Sequence, residues 1–359
     1  MDTFFPVVGH SAPVRAVRVW LWLGLVLVLG QIAIGGITRL TGSGLSITKW
    51  EIVIGAIPPL NDADWQHAFD LYRNTPQYHK INKGMSLTDF KFIYFWEYFH
   101  RLWARSMGLI FLFPYLYFRF RGRIPAWLNK RLFVVILIAA LAAAFGWIMV
   151  ASGLIHRPWV NAYKLSIHLG IGFTLFAYLL WTILMCYPLQ KTVIHNNLLK
   201  TIALVIIVIL CCQIFFGGLM SGMKAALLYP TFPDMNGMYI PYMLFDSSNW
   251  TWQNFEHYDT HPFAPTLIQF LHRTTAYILT IIGLYFYVKS NMLKSHAIYK
   301  KSILLFVVIL SVQILLGIFT ILYSRGSIPI WLGVAHQIGG LLLLSSMLLT
   351  YYQQVYAKK

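Results

Sequence analysis

Phe90-Lys91-Phe92-Ile93-Tyr94-Phe95-Trp96-Glu97-Tyr98-Phe99-His100-Arg101 is the stretch on which the fold turns. It opens a run to Phe120 that is mostly aromatic and aliphatic. At about 1.5 Å of rise per residue, that run is long enough to cross a hydrocarbon layer of about 30 Å. A carboxylate, an imidazole and a guanidinium are costly at that depth unless paired, which makes Glu97, His100 and Arg101 functional candidates. Glu97 and His100 lie three residues apart and share one helix face.

The rest of the chain has the same character. Its 359 residues are 58% hydrophobic and 11% charged, with a mean hydropathy of +0.64. This composition indicates an all-α polytopic membrane protein rather than a soluble domain. Eight spans are expected, at residues 17–38, 92–118, 132–153, 163–186, 199–220, 265–288, 301–322 and 331–352. The first has too much chain ahead of it, and too poor a cleavage pattern behind it, for a removed signal peptide. No Arg- and Ser-rich transit segment precedes it, which favours a bacterial plasma membrane over a mitochondrial one.

A net charge of +17 would suggest nucleic acid in a soluble protein, but its distribution excludes that class. Arg15, Arg18, Arg119, Arg121, Arg123, Lys130, Arg131, Lys191, Lys200, Lys289, Lys294, Lys300, Lys301, Lys358 and Lys359 all flank one side, opposed only by Asp2. The other side mixes both signs. The positive-inside rule then places both termini in the cytoplasm, with the basic excess facing anionic lipid. Cys186, Cys211 and Cys212 fall within or at the ends of spans, so the outer loops hold no thiol pair and buried, inert cysteines are expected.

Two long outer loops are expected, to about Lys91 and from about Ser221 to Ala264. The first holds Pro58-Pro59 and an amphipathic segment, Asp62 to Arg73, with Trp65, Phe69 and Tyr72 on one face. Loops of this length are usually functional. Thr88 is the expected cap of the second span, with Asp89 in its first turn. The third span should end at Ser152-Gly153, leaving His156, Arg157 and Pro158 in an outer turn. His195 falls in a short cytoplasmic link.

The chain also repeats itself. Gln31-Ile32-Ala33-Ile34-Gly35-Gly36 is echoed by Gln213-Ile214-Phe215-Phe216-Gly217-Gly218, and His100-Arg101 by His272-Arg273. His100 to His168 is 68 residues and His272 to His336 is 64. Landmarks in the same order predict a duplicated unit, two pseudo-symmetric four-helix bundles at 1–190 and 191–359. All four histidines then lie in the outer half of the bilayer on even-numbered spans. One intramembrane histidine is commonly a packing residue; four at matched depth indicate ligation. Neutral imidazole is a good axial ligand for heme iron, and bundles build cofactor sites from facing helices. The pairs His100/His168 and His272/His336 would each clamp one porphyrin. Zinc is disfavoured, because the second half offers no Cys or carboxylate to complete a four-ligand shell. Glu97 is matched by Gln269 in the second half, which suggests a reactive first site and an electron-transfer second one. The alternative role for Glu97 is a structural hydrogen bond or ion pair with a neighbouring arginine. Arg101 and Arg273 would either pair with heme propionates or snorkel outward.

These stretches resemble the heme A synthase family, in the branch shared by proteobacteria and mitochondria. The resemblance rests on Gly35 to Ser46 and Phe90 to Arg101. It extends through Met149 to Leu154 with His168, Gly217 to Gly222 with Phe232-Pro233, and the helices of His272 and His336. It covers nearly the whole chain, and the T-R-L-T-x-S-G-L-S run has little general structural rationale. The resemblance implies an oxidoreductase that converts the C8 methyl of heme O to a formyl group by successive hydroxylations. The product, heme A, serves terminal oxidases. It further implies that His272 and His336 ligate a cofactor heme b, that His100 and His168 face the substrate, and that Glu97 is the essential acid. Partners implied are a heme O synthase and oxidase assembly factors, with a homo-oligomer left open. Gram-positive members carry a Cys pair in the first outer loop, which this chain lacks.

Two other classes fit part of the pattern. A diheme b-type cytochrome passing electrons from quinol would need only the four histidines. A repeat-fold transporter with a Glu/His proton relay would bind no pigment.

Overall fold

The computed structural model describes residues 11–49, 55, 57–187, 196–292 and 297–356. Asp2, Lys191, His195, Lys294, Lys358, Lys359 and the 190/191 domain boundary expected from the sequence lie outside these residues. The described residues form helices and loops without a β-strand. In chain order the helices are α1 (Arg15–Leu40), α2 (Asp62–Arg73), α3 (Pro76–Lys80), α4 (Leu87–Phe120), α5 (Ala126–His156), α6 (Ala162–Met185), α7 (Asn197–Gly222), α8 (Trp252–Glu256), α9 (Phe263–Asn291), α10 (Ala297–Leu322) and α11 (Ile330–Val355).

The protein is a multi-pass membrane protein. Among the described residues, seven helices are long and apolar enough to span: α1, α5, α6, α7, α9, α10 and α11. The eighth expected span corresponds to α4, which at 34 residues has ample length but carries Glu97, Arg101 and Arg105. The helices overrun the expected spans. Thus α4 begins at Leu87, capped by Ser86 accepting from the Asp89 N–H, so Ser86 replaces Thr88 as the cap. Similarly, α5 continues through Ser152-Gly153 to His156, since nothing polar forces it to stop at the predicted boundary. Both α1 and α4 end where a glycine turns left-handed, Gly42 at φ +70° and Gly122 at φ +64°. In each the next residue donates back to the helix, Ser43 to Thr38 O and Arg123 to Phe118 O, both at 2.9 Å.

The long helices pair as two similar sets. In the first, α1 packs on α4 and α6, and α5 on α6; in the second, α7 packs on α9 and α11, and α10 on both α9 and α11. Aliphatic and aromatic side chains fill each set, with Leu21, Leu128 and Leu179 in one core and Ile206, Phe286 and Phe306 in the other. The sets meet where α6 crosses α7 and α1 crosses α11. At the first crossing a Cβ on Gly218 or Gly222 would stand 2.9 and 2.5 Å from Ser166 Cα and Ala162 Cα. Small residues there let the backbones touch. At the second crossing Gln337 donates to Ile32 O at 2.8 Å.

Of the outer loops, α2 forms over the expected segment, and Phe69 and Tyr72 bury against Phe90. Arg157 reaches across to Asp259 at 2.8 Å, tying the α5–α6 turn to the second loop. Cys186 is buried as expected, whereas Cys211 and Cys212 lie exposed on α7.

Candidate functional site

Each of the four histidines sits on one helix and lies over a glycine of the preceding long helix. A Cβ on Gly35 would be 3.1 Å from His100 Cε1, on Gly146 3.2 Å from His168 Cε1, on Gly217 3.4 Å from His272 Cε1, and on Gly317 2.9 Å from His336 Cε1. One helical turn earlier stands a glutamine in three of the four cases. Gln31 Nε2 donates to His100 O at 3.3 Å, Gln213 Nε2 to His272 O at 3.0 Å and Gln313 Nε2 to His336 O at 2.9 Å. The unit is therefore Gln-x-x-x-Gly on one helix cradling a histidine on the next. The amide holds the histidine's backbone while the missing side chain makes room for its ring. The α5 copy reads Ala142-x-x-x-Gly146, so His168 has the notch without the amide.

The repeat motif had singled out Gln31 and Gln213 only as landmarks, and it missed Gln313, Gly146 and Gly317. The four-residue Gln–Gly spacing was the signal available in the sequence. It becomes meaningful only once the facing helix is known.

The second pair fits a single metal clamped by two imidazoles. The rings of His272 and His336 lie 6.3 Å apart, centre to centre, at 75°. Two imidazoles joined to one metal by bonds of about 2 Å have centres about 6 Å apart. His168, His272 and His336 each lie against a backbone carbonyl of the preceding long helix, that of Ala142, Gln213 and Gln313; a ring N–H held there leaves the other ring nitrogen for a ligand. Among the described residues, no group of three His, Cys, Asp or Glu converges as a metal shell. The donor set thus suits a flat macrocycle needing axial ligands, and does not suit tetrahedral zinc. His100 and His168, on α4 and α6, are within electrostatic reach of each other.

One turn from His100 the two halves diverge. Glu97 is 2% exposed, and three donors converge on its carboxylate. Ser46 Oγ and the Ile47 N–H donate to Oε2 at 2.7 and 2.8 Å, and Arg101 donates to Oε1 at 2.5 Å. Arg101 also donates to Ile47 O at 3.3 Å. The loop following α1 is thereby clasped to α4. Just before it, in the last turn of α1, Thr38 donates to Trp96 O of α4 at 3.1 Å and Arg39 to Ser221 O of α7 at 2.5 Å, which fixes where the loop starts. That accounts physically for the Thr38 to Ser46 run, whose hydroxyls and arginine are each spent on a specific partner. Ser46 and Ile47 were not among the residues expected to contribute.

In the second half the same clasp is built without a carboxylate. Gln269 donates to Tyr229 O at 3.0 Å, and its Oε1 has no partner. Arg273 donates to Asp234 O and Tyr229 O at 2.7 and 2.8 Å. Neither arginine snorkels outward. Both turn inward to hold an outer loop, because each finds carbonyl or carboxylate oxygens within reach that would otherwise be buried unpaired. An acid with three donors can hold negative charge in place; an amide in the same position cannot.

Comparison with known proteins gives a consistent family. Residues 18–348 match the family described as COX15-CtaA, cytochrome oxidase assembly protein. The chain is 39% identical to a heme A synthase of Nitrosospira multiformis over 342 residues, covering 93% of this chain and 92% of that one. It is 38% identical to a heme A synthase of Flavobacterium johnsoniae, covering 94% and 98%. A heme A synthase of Methylorubrum populi is 41% identical, covering 90% and 82%.

Proposed function

This chain belongs to the COX15-CtaA family of cytochrome oxidase assembly proteins, and from that premise we propose that it is an oxidoreductase converting heme O to heme A. The observation that carries the reading is the split between two otherwise matched sites, Glu97 with its three donors against Gln269 with an unpaired oxygen.

We assign the two halves different tasks. His272 and His336 hold heme b as a resident cofactor, which supplies one-electron chemistry when bound. Gln213 and Gln313 fix the backbone of those two residues, and Gly217 and Gly317 leave room for the rings that would hold the heme. His100 and His168 face the substrate, heme O. Here Gln31 holds His100, while His168 lacks an equivalent amide. A less constrained histidine suits a ligand that must come and go.

Glu97 acts beside the substrate. Ser46, Ile47 and Arg101 fix its carboxylate in one orientation, so no reorganisation is needed when charge develops nearby. Two roles are consistent with that preorganised anion: stabilising positive charge at the methyl carbon under oxidation, and receiving protons from the hydroxylating water. In the membrane we place the protein in a bacterial inner membrane, with α4 as the eighth span and both termini cytoplasmic. A heme O synthase supplies the substrate, and oxidase assembly factors take the product.

The test is heme extraction, with chromatography and mass analysis, from the chain co-expressed with a heme O synthase. Heme O, a hydroxylated derivative or heme A beside heme b is the expected result. Two heme b per chain, whatever the heme O supply, would point instead to a diheme electron-transfer cytochrome.

A further inference from the structure

The two halves differ a second time, in how their outermost helices close. In the second half α9 and α10 pack together. The contact is a notch: a Cβ on Gly283 would meet Leu310 Cδ2 at 2.9 Å and Phe306 Cε1 at 3.3 Å. With His272 aligned on His100 and Gly317 on Gly146, the positions matching Gly283, Leu310 and Phe306 are Phe111, Ala139 and Val135. The knob and its hole have both gone. Correspondingly, α5 packs on α6 and touches α3, with no comparable packed face against α4. It is also the least buried of the apolar spans. Tyr115 donates to Asn129 at 2.9 Å and pins the two helices near their short connection.

At the far end of this seam lies an open recess. It is walled by Arg101 of α4 and by Trp147, Val150, Ala151 and Leu154 of α5, with Ile47 and Thr48 of the clasped loop above it. Trp147 directly follows Gly146, the glycine under the His168 ring. Arg101 directly follows His100. The recess is therefore one residue along the chain from both first-half histidine contacts. Its walls are apolar apart from Thr48 and the Arg101 guanidinium, a lining that suits the edge of a flat apolar macrocycle carrying carboxylates.

We propose that the α4–α5 seam, ending in the Arg101–Trp147 recess, is the lateral port through which the porphyrin substrate passes between lipid and the first-half site. This rests on the assignment of heme O to that half. The sealed α9–α10 seam then belongs to a cofactor that stays, and the open α4–α5 seam to a substrate and product that exchange. Alanine at positions 139, 142, 143 and 144, where α10 has Leu310, Gln313, Ile314 and Leu315, thins the α5 wall at the depth of His168.

The experiment measures uptake of heme O from vesicles by the heme b-loaded chain in lipid nanodiscs, followed by absorbance. Ala151→Trp fills the recess, and Leu315→Trp places the same bulk on the exposed face of α10. Uptake by Ala151→Trp is expected to be slowed severalfold, with heme b per chain unchanged and Leu315→Trp behaving as the parent. Ala139→Leu, which restores the knob, is expected to slow uptake as well. If Ala151→Trp and Ala139→Leu both take up heme O at the parental rate, the port is overturned while the substrate assignment stands. If the parent itself takes up no heme O, the substrate assignment falls and the port falls with it.

Discussion

A methyl group at position 317 tests the histidine cradle more directly than any change to the histidines themselves. In Gly317→Ala the new carbon would lie 2.9 Å from His336 Cε1, with Nδ1 and Nε2 at 3.5 and 3.6 Å. Carbon–carbon contacts are comfortable from about 3.5 Å, so the ring must retreat by about 0.6 Å. Metal–ligand bonds tolerate changes of about 0.2 Å. The ring cannot simply slide, because Gln313 holds the His336 backbone at 2.9 Å. Gly217→Ala is the internal control, since its methyl would stand at 3.4 Å from His272 Cε1, already close to ordinary contact. Both substitutions favour the helix by about 1 kcal/mol, so the fold should be no weaker in either. Reduced-minus-oxidised absorbance of the purified chains, with heme b quantified per chain and the thermal midpoint recorded, should show severalfold loss of heme b in Gly317→Ala and near-parental heme b in Gly217→Ala. Equal, full heme b in both variants would refute the cradle as the device that positions these ligands.

Other consequences are open to measurement. Glu97→Gln should retain the fold and heme b yet form no heme A, read by extraction; an unchanged yield would remove Glu97 from the mechanism. His272→Ala or His336→Ala should abolish the stable b-type spectrum while His100→Ala keeps most of it, and equal loss from all of them would make the two sites equivalent cofactors. Gly222→Ala drives a methyl to 2.5 Å from Ala162 Cα, a backbone atom that cannot step aside. It should cost about 1–3 kcal/mol by overpacking, seen as a lowered thermal midpoint. Removing Arg101 by Arg101→Ala leaves the buried Glu97 carboxylate without its ion pair, a loss of about 3–5 kcal/mol. Restoration of the thermal midpoint by the double variant Arg101→Ala, Glu97→Gln is the expected check.

Much of this architecture could be read from local pattern. Spans announce themselves because each must satisfy its own backbone within lipid, which forces long apolar helices on the chain. Histidines at matched positions, the Gln–Gly echo and the Glu97/Gln269 difference are properties of residue order, and the amphipathic α2 segment was legible from its spacing alone. The helix ends were less so, since α4 and α5 run beyond their apolar cores on capping and continuity that hydropathy does not measure.

What residue order could not supply is the rotation of one helix against another. Whether Gly317 lies under His336, whether Ser46 and Ile47 close on Glu97, and whether Arg101 turns inward or toward the headgroups each depend on contacts between residues far apart in the chain. The same holds for the seam: Ala139 and Phe111 look unremarkable in α5 and α4, and acquire meaning only beside the Leu310–Gly283 notch of the other half. Sequence alone determined that the chain is built of long apolar helices, and which chemical types stand at its matched landmarks, because those follow from residue order and from the solvent each segment must meet. Tertiary structure decided which side chains face one another, because helix packing fixes the rotation of each helix through a few small-residue contacts spread along the chain.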